Sequence, residues 1–154
     1  MKRKNKYPDT TTFHYFNANP KNRITGDCRI RAIAVACDVP YNQVVMDLAQ
    51  IQCDTGYDQT TNQGLNILLK KYGWVKRKQP RKCDNTKYTG KEFCDYLYQY
   101  SDRSFIPYID GNVVATIGGH HMVAFVKEET SEYRCYDIWD STNGCIGNYW
   151  VKEN

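Results

Sequence analysis

Segments with helical spacing crowd the chain up to Tyr98, and from Ser104 onward everything reads as short strands parted by turns. Ile30, Ile33, Ala34 and Cys37 recur at helical spacing after Thr25-Gly26-Asp27, where Asp27 or Thr25 can cap a first turn. Pro40 suits the first turn of a second helix carrying Val44, Val45, Leu48 and Ile51 on one face. Thr61-Asn62-Gln63-Gly64 leads into a third, with Leu65, Ile67, Leu68 and Tyr72 inward and Gly73 as its stop. A fourth starts at Thr89-Gly90-Lys91-Glu92 and runs through Phe93, Leu97 and Tyr98. Strands are expected at 104–109, 112–117, 121–126, 132–138 and 147–151, and a short one in 74–79. Helices first and antiparallel strands later predict an α+β fold, the N-terminal helices packed on a C-terminal antiparallel sheet.

At 154 residues, the length suits a single domain spanning 1–154, with 1–12 as a flexible basic arm. Thr12-Phe13-His14-Tyr15-Phe16 is a short aromatic run, an edge strand or a segment packed across the core. No apolar run reaches bilayer length, and no apolar segment follows the basic start, so no membrane partner is expected and the location expected is intracellular, in the cytoplasm. Seven scattered cysteines without a C-x-x-C pair argue against a disulfide framework in a reducing compartment and against structural zinc. Most are expected as packing residues.

The net charge of +4 is concentrated in residues 1–6 and 70–82. Runs of this kind are usually solvated faces. The second interleaves Tyr72 and Trp74 with its lysines, which leaves a weak nucleic-acid reading, or one with an acidic partner.

Cys28 opens its helix at the positive end of the dipole, among unpaired N–H groups, where a thiol is most easily held as thiolate. Gly118-Gly119-His120-His121 places histidines at a strand start after a tight turn, and Asp137 follows His121 sixteen residues later on the next strand. A hairpin turning near 128–131 brings His121 and Asp137 side by side. Asp137 then orients the imidazole, and the imidazole takes the proton of Cys28. Neighbouring strand residues face opposite ways, so one histidine of the pair serves Cys28 and His120 is the alternative base. Asp140 is the alternative carboxylate, although Asp140-Ser141-Thr142-Asn143-Gly144 also reads as a turn. His14 is expected at the surface, and Asp27 as a cap rather than an acid.

At these residues the chain resembles papain-like cysteine peptidases. Cys28 opening a helix rich in small residues, His121-Met122-Val123-Ala124 starting a strand, Asp137-Ile138-Trp139 one hairpin later, and Gly147-Asn148-Tyr149-Trp150 near the end are similar to that family's motifs. An Asp as third member is more typical of its C39-like branch. The resemblance covers roughly 19–40 and 115–152 and implies a papain-like fold in minimal form. It further implies a Cys28–His121–Asp137 triad shielded by Trp139, with Asn22 at the family's oxyanion glutamine. Asn22 is one methylene shorter than that glutamine, and Arg29 stands where the papain branch has a tryptophan.

The function expected is an intracellular cysteine hydrolase, without metal or organic cofactor, acting on a peptide, isopeptide or related amide bond of a peptide or protein substrate. An acyl transferase uses the same triad. Two alternatives differ in class. One is a cell-wall hydrolase of the CHAP or NlpC/P60 kind, and the other an inactive papain-like module that binds through its basic stretch.

Overall fold

A computed structural model describes residues 1–101 and 108–153. These form five helices, α1 (Arg3–Lys6), α2 (Cys28–Cys37), α3 (Tyr41–Thr55), α4 (Asn62–Lys71) and α5 (Gly90–Tyr100). The strands are β1 (Phe13–Tyr15), β2 (Trp74–Arg77), β3 (Val113–Ile117), β4 (His121–Lys127), β5 (Tyr133–Asp137) and β6 (Ile146–Lys152), joined in one sheet of order β1-β5-β4-β3-β6-β2. The class is α+β. Much of the strand expected at 104–109 lies outside the described residues.

The sheet is not purely antiparallel and not confined to the C-terminal half. β1 pairs parallel with β5, Phe13 opposite Cys135 and Tyr15 opposite Asp137. β2 pairs antiparallel with β6 at the other edge. Both edge strands come from earlier in the chain and are short, which limits the unpaired ladder they offer.

Helices cover both faces. Ile33 of α2, Val44 and Leu48 of α3 and Leu68 of α4 pack with Val114, Met122, Ala124 and Trp150. Phe93 and Leu97 of α5 pack on the opposite face with Val113, Ile117, Val123 and Phe125. The central strand β4 is thereby buried on both sides, which explains its unbroken apolar run Met122-Val123-Ala124-Phe125. The helices divide between the two faces, α5 supplying the second layer that covers the other apolar face.

Local signals place most helix ends. Thr89 and Glu92 form a reciprocal capping box on α5, Glu92 N–H donating to Thr89 Oγ1 at 3.2 Å and Thr89 N–H to Glu92 Oε1 at 3.0 Å. Thr61 Oγ1 caps α4 by accepting from Gly64 N–H. Val45 and Ile67, expected on the inward faces, are exposed, while Leu69 is buried instead.

The first twelve residues are not a loose arm. Arg3 Nε donates to the carbonyl of Ile138 at 2.7 Å, Tyr7 packs against the core, and Asp9 accepts from Tyr15 N–H and pairs with His14. Part of the basic run is paired locally: Lys71 with Asp47 and Lys82 with Glu92, while Arg81 donates to the Asn85 carbonyl. No helix among the described residues is long and apolar enough to cross a membrane.

Candidate active site

Two elements meet to form the site. α2 packs against β4, so the first turn of the helix lies beside the start of the strand. Gly118 and Gly119 hold φ of +62° and +94°, and this turn between β3 and β4 sets His120 and His121 at the mouth of the sheet. Past β4 the chain turns at 128–131, where Glu128 N–H donates to Glu132 O and Ser131 N–H to Glu128 O. β5 then returns alongside, and Asp137 is its last residue.

His121 and Asp137 meet through Nε2 and Oδ2 at 2.5 Å. With Nε2 so engaged, Nδ1 is the ring nitrogen left for Cys28, whose thiol lies beside His121 and the backbone N–H of Met122. Burial opposes ionisation of Cys28, yet the donors of His121 and Met122 and the charges of His121 and Arg31 outweigh it and hold the thiol below its usual range. Burial likewise disfavours the imidazolium. The bonds to Asp137 and Cys28 win, and His121 is pushed up to about 9. The two shifts share one part, the coupling of Cys28 to His121, which favours the thiolate and the imidazolium together, and Asp137 adds the larger part of the histidine's shift. The Trp139 ring lies 4.9 Å from the His121 ring, tilted by 38°.

Arg31 is the residue that the sequence did not reveal. It is 5% exposed, one turn along α2 from Cys28, and bridges two buried carboxylates. Its Nη1 donates to Asp137 Oδ1 at 2.5 Å and its Nε to Asp27 Oδ1 at 2.8 Å. Asp137 is further held by Ile138 N–H at 2.7 Å. The four-residue spacing of Asp27 and Arg31 was the available signal.

Asp27 therefore occupies the N-cap position without capping. Its carboxylate accepts from Arg31, from Tyr41 Oη at 2.6 Å and from Asn19 Nδ2 at 3.1 Å, and makes no cap bond. Burial would raise this carboxyl, but the bonds from Tyr41, Arg31 and Asn19 lower it on balance. With the cap side chain drawn away, the first-turn N–H groups of α2 receive no bond from Asp27's carboxylate.

Asn22 lies in the exposed loop before α2, at φ +54°, a left-handed conformation that asparagine tolerates. Its Oδ1 accepts from Asn17 Nδ2 at 3.4 Å, and its own Nδ2 donates to no group among the described residues. His120 is exposed and lines a cleft together with Arg29. Asp140 accepts from Thr142 N–H and Oγ1, so it builds the turn and is not the partner of His121. His14 is partly exposed and paired with Asp9.

The remaining cysteines are free, and burial pushes Cys37 and Cys94 up to about 12 and Cys135 well above the usual thiol range. Among the described residues no cluster of three or more His, Cys, Asp or Glu side chains is placed to hold a metal. The chain matches no protein-family model, no curated protein and no solved structure.

Proposed function

We propose that this chain is a cysteine hydrolase of the papain-like kind, cleaving a peptide, isopeptide or related amide bond. The observation that carries the proposal is the continuous chain of contacts from Cys28 through His121 to Asp137, with Arg31 fixing the carboxylate from behind. A buried ion pair positioned at a helix start, under a tryptophan, is costly to build for packing alone.

The thiolate Sγ of Cys28 attacks the substrate carbonyl carbon, and the C=O electron pair moves onto oxygen. The Cys28 N–H and the Asn22 amide receive that oxyanion. As the intermediate collapses, the C–N bond breaks and His121 Nδ1–H gives its proton to the departing nitrogen, leaving a thioester on Cys28. Water then attacks the thioester while His121 accepts its proton. The acid leaves, and thiolate and imidazolium are restored. Asp137 holds the ring so that Nδ1 points at sulfur throughout, and Trp139 limits access of bulk water to the His121–Asp137 bond.

The nucleic-acid alternative draws less support. Trp74 is 6% exposed and belongs to the core, and Tyr72 donates its hydroxyl to Asp47, so neither offers a free ring for base stacking. The hydrolase reading is tested with p-nitrophenyl acetate. The expected result is a burst of p-nitrophenolate, with an acetyl group on the Cys28 peptide by mass spectrometry. The burst disappears in Cys28→Ala and slows by about 10²-fold or more in His121→Ala. A wild type that gives no acetyl-Cys28, or a burst indifferent to His121, rules the reading out.

A further inference from the structure

A cleft of about 230 Å³ opens directly beside the site. It adjoins Cys28 through Arg29, the next residue, and through Met122, whose N–H meets the thiol. Its polar lining comprises Arg29, Lys76, His120, Asn62 and Asn148, with Thr116 and Asn66 at the margin, and Trp150 supplies an apolar wall. Among the described residues no carboxylate lines it.

The orientation of these groups is one-sided. Arg29 Nη1 donates to the carbonyl of Thr60 at 2.7 Å, which fixes the guanidinium without neutralising its charge. Asn62 Oδ1 accepts from Arg29 Nη2 at 3.5 Å, and Asn148 Oδ1 from Gln79 N–H at 3.0 Å. With both oxygens engaged, each amide has its NH₂ left over as a donor. Lys76 lies over the Trp150 ring at 5.5 Å and makes no ion pair among the described residues. One held cation, Arg29, one exposed cation, Lys76, and two amide donors thus surround a space the size of a side chain, with no acid among the described residues to balance them.

We propose that this cleft is the subsite for an acidic substrate residue, an Asp or Glu side chain beside the scissile amide. The inference rests on the hydrolase reading and supplies its substrate class. A carboxylate entering the cleft accepts from Arg29 and the Asn62 amide on one wall and from Lys76 and the Asn148 amide on the other. The methylenes of a Glu lie against Trp150. His120, exposed at the rim, adds a further polar group.

The test uses dipeptidyl vinyl sulfones that differ only in Glu against Gln, placed at the residue bearing the electrophile or at the one before it. Adduct on Cys28 of the full chain is followed by mass spectrometry. At low salt the Glu probe is expected to react about tenfold faster than its Gln twin at one of the two positions. Sodium chloride should shrink that ratio, Arg29→Gln/Lys76→Gln should bring it to about one, and Lys76→Glu alone should lower or invert it. The ratio is internal to each variant, so a general loss of reactivity does not imitate the effect. Equal rates in the wild type, or a ratio untouched by these substitutions, overturn the subsite while the hydrolase reading stands. Failure of every probe to mark Cys28 overturns both.

Discussion

Replacing Arg31 by methionine keeps the apolar stem on α2 and removes the cation between Asp27 and Asp137. The two carboxylates are 6% and 2% exposed, so neither can turn to water when its partner goes. Breaking a buried ion pair from one side costs about 3–5 kcal/mol. Asp27 retains Tyr41 and Asn19, and Asp137 retains His121 and Ile138 N–H, which places Arg31→Met near the lower end, at about 3 kcal/mol. With a urea slope of about 2 kcal/mol/M, the midpoint falls by about 1.5 M. The loss depends on pH, and its sign follows from Asp27. In the native chain this carboxyl lies below its ordinary value, so its ionised form stabilises the fold above the unfolded pKa. That contribution is lost as pH falls through the folded value. Without Arg31 the carboxyl moves up, and acid then costs the variant less than it costs the native chain. The difference between them must therefore narrow from pH 7 to about 3, below the ordinary carboxyl value. Urea melts followed by tryptophan fluorescence at both pH values measure it. A loss below about 1 kcal/mol at pH 7, or one of equal size at both pH values, would refute the reasoning.

Asp137→Asn removes the bond that does most to favour the imidazolium, so the His121 titration seen by NMR should fall from about 9 into the ordinary histidine range; a midpoint still near 9 contradicts the pairing. Gly90→Ala is expected to destabilise by about 1–3 kcal/mol, because the added methyl meets Thr142 Cα at 2.8 Å and Ile117 Cδ1 at 2.9 Å; an unchanged thermal midpoint refutes that crowding. Thr89→Ala opens the capping box on α5 and should cost about 1 kcal/mol in the same melts, with Thr89→Ser restoring most of it.

The helices of this chain are legible because their signals are local. Thr89 and Glu92, Thr61 and Gly64, and the Pro40 entry act within a turn of themselves, and the structure uses each of them. His121 and Asp137 are legible as neighbours because two glycines start β4 and one short turn fixes the register of the hairpin. Arg31 was not legible. A sequence shows its charge but not its burial, and burial depends on Asp137, 106 residues away, arriving at the same point. Asp27 was misread as a cap for the same reason, since the competing donors on Arg31, Tyr41 and Asn19 converge only in the fold. The amino-terminal segment looked loose because its composition is polar, whereas a single guanidinium on the Ile138 carbonyl and a ring on the core secure it. The parallel partner of β1 was out of reach, because parallel pairing between remote segments leaves no turn to read.

The thiolate–imidazolium pair is the claim on which the rest depends, and it is tested most directly by the rate of iodoacetamide alkylation of each cysteine between about pH 4 and 9. Peptide mass spectrometry reads the wild type beside His121→Ala. The account predicts that Cys28 reacts well below neutral pH, ahead of the exposed Cys53, Cys83 and Cys145, while Cys37, Cys94 and Cys135 stay protected. His121→Ala should move the Cys28 profile up into the range of an ordinary thiol. A Cys28 that titrates with the exposed cysteines in the wild type, or one that keeps its low-pH reactivity without His121, would contradict it.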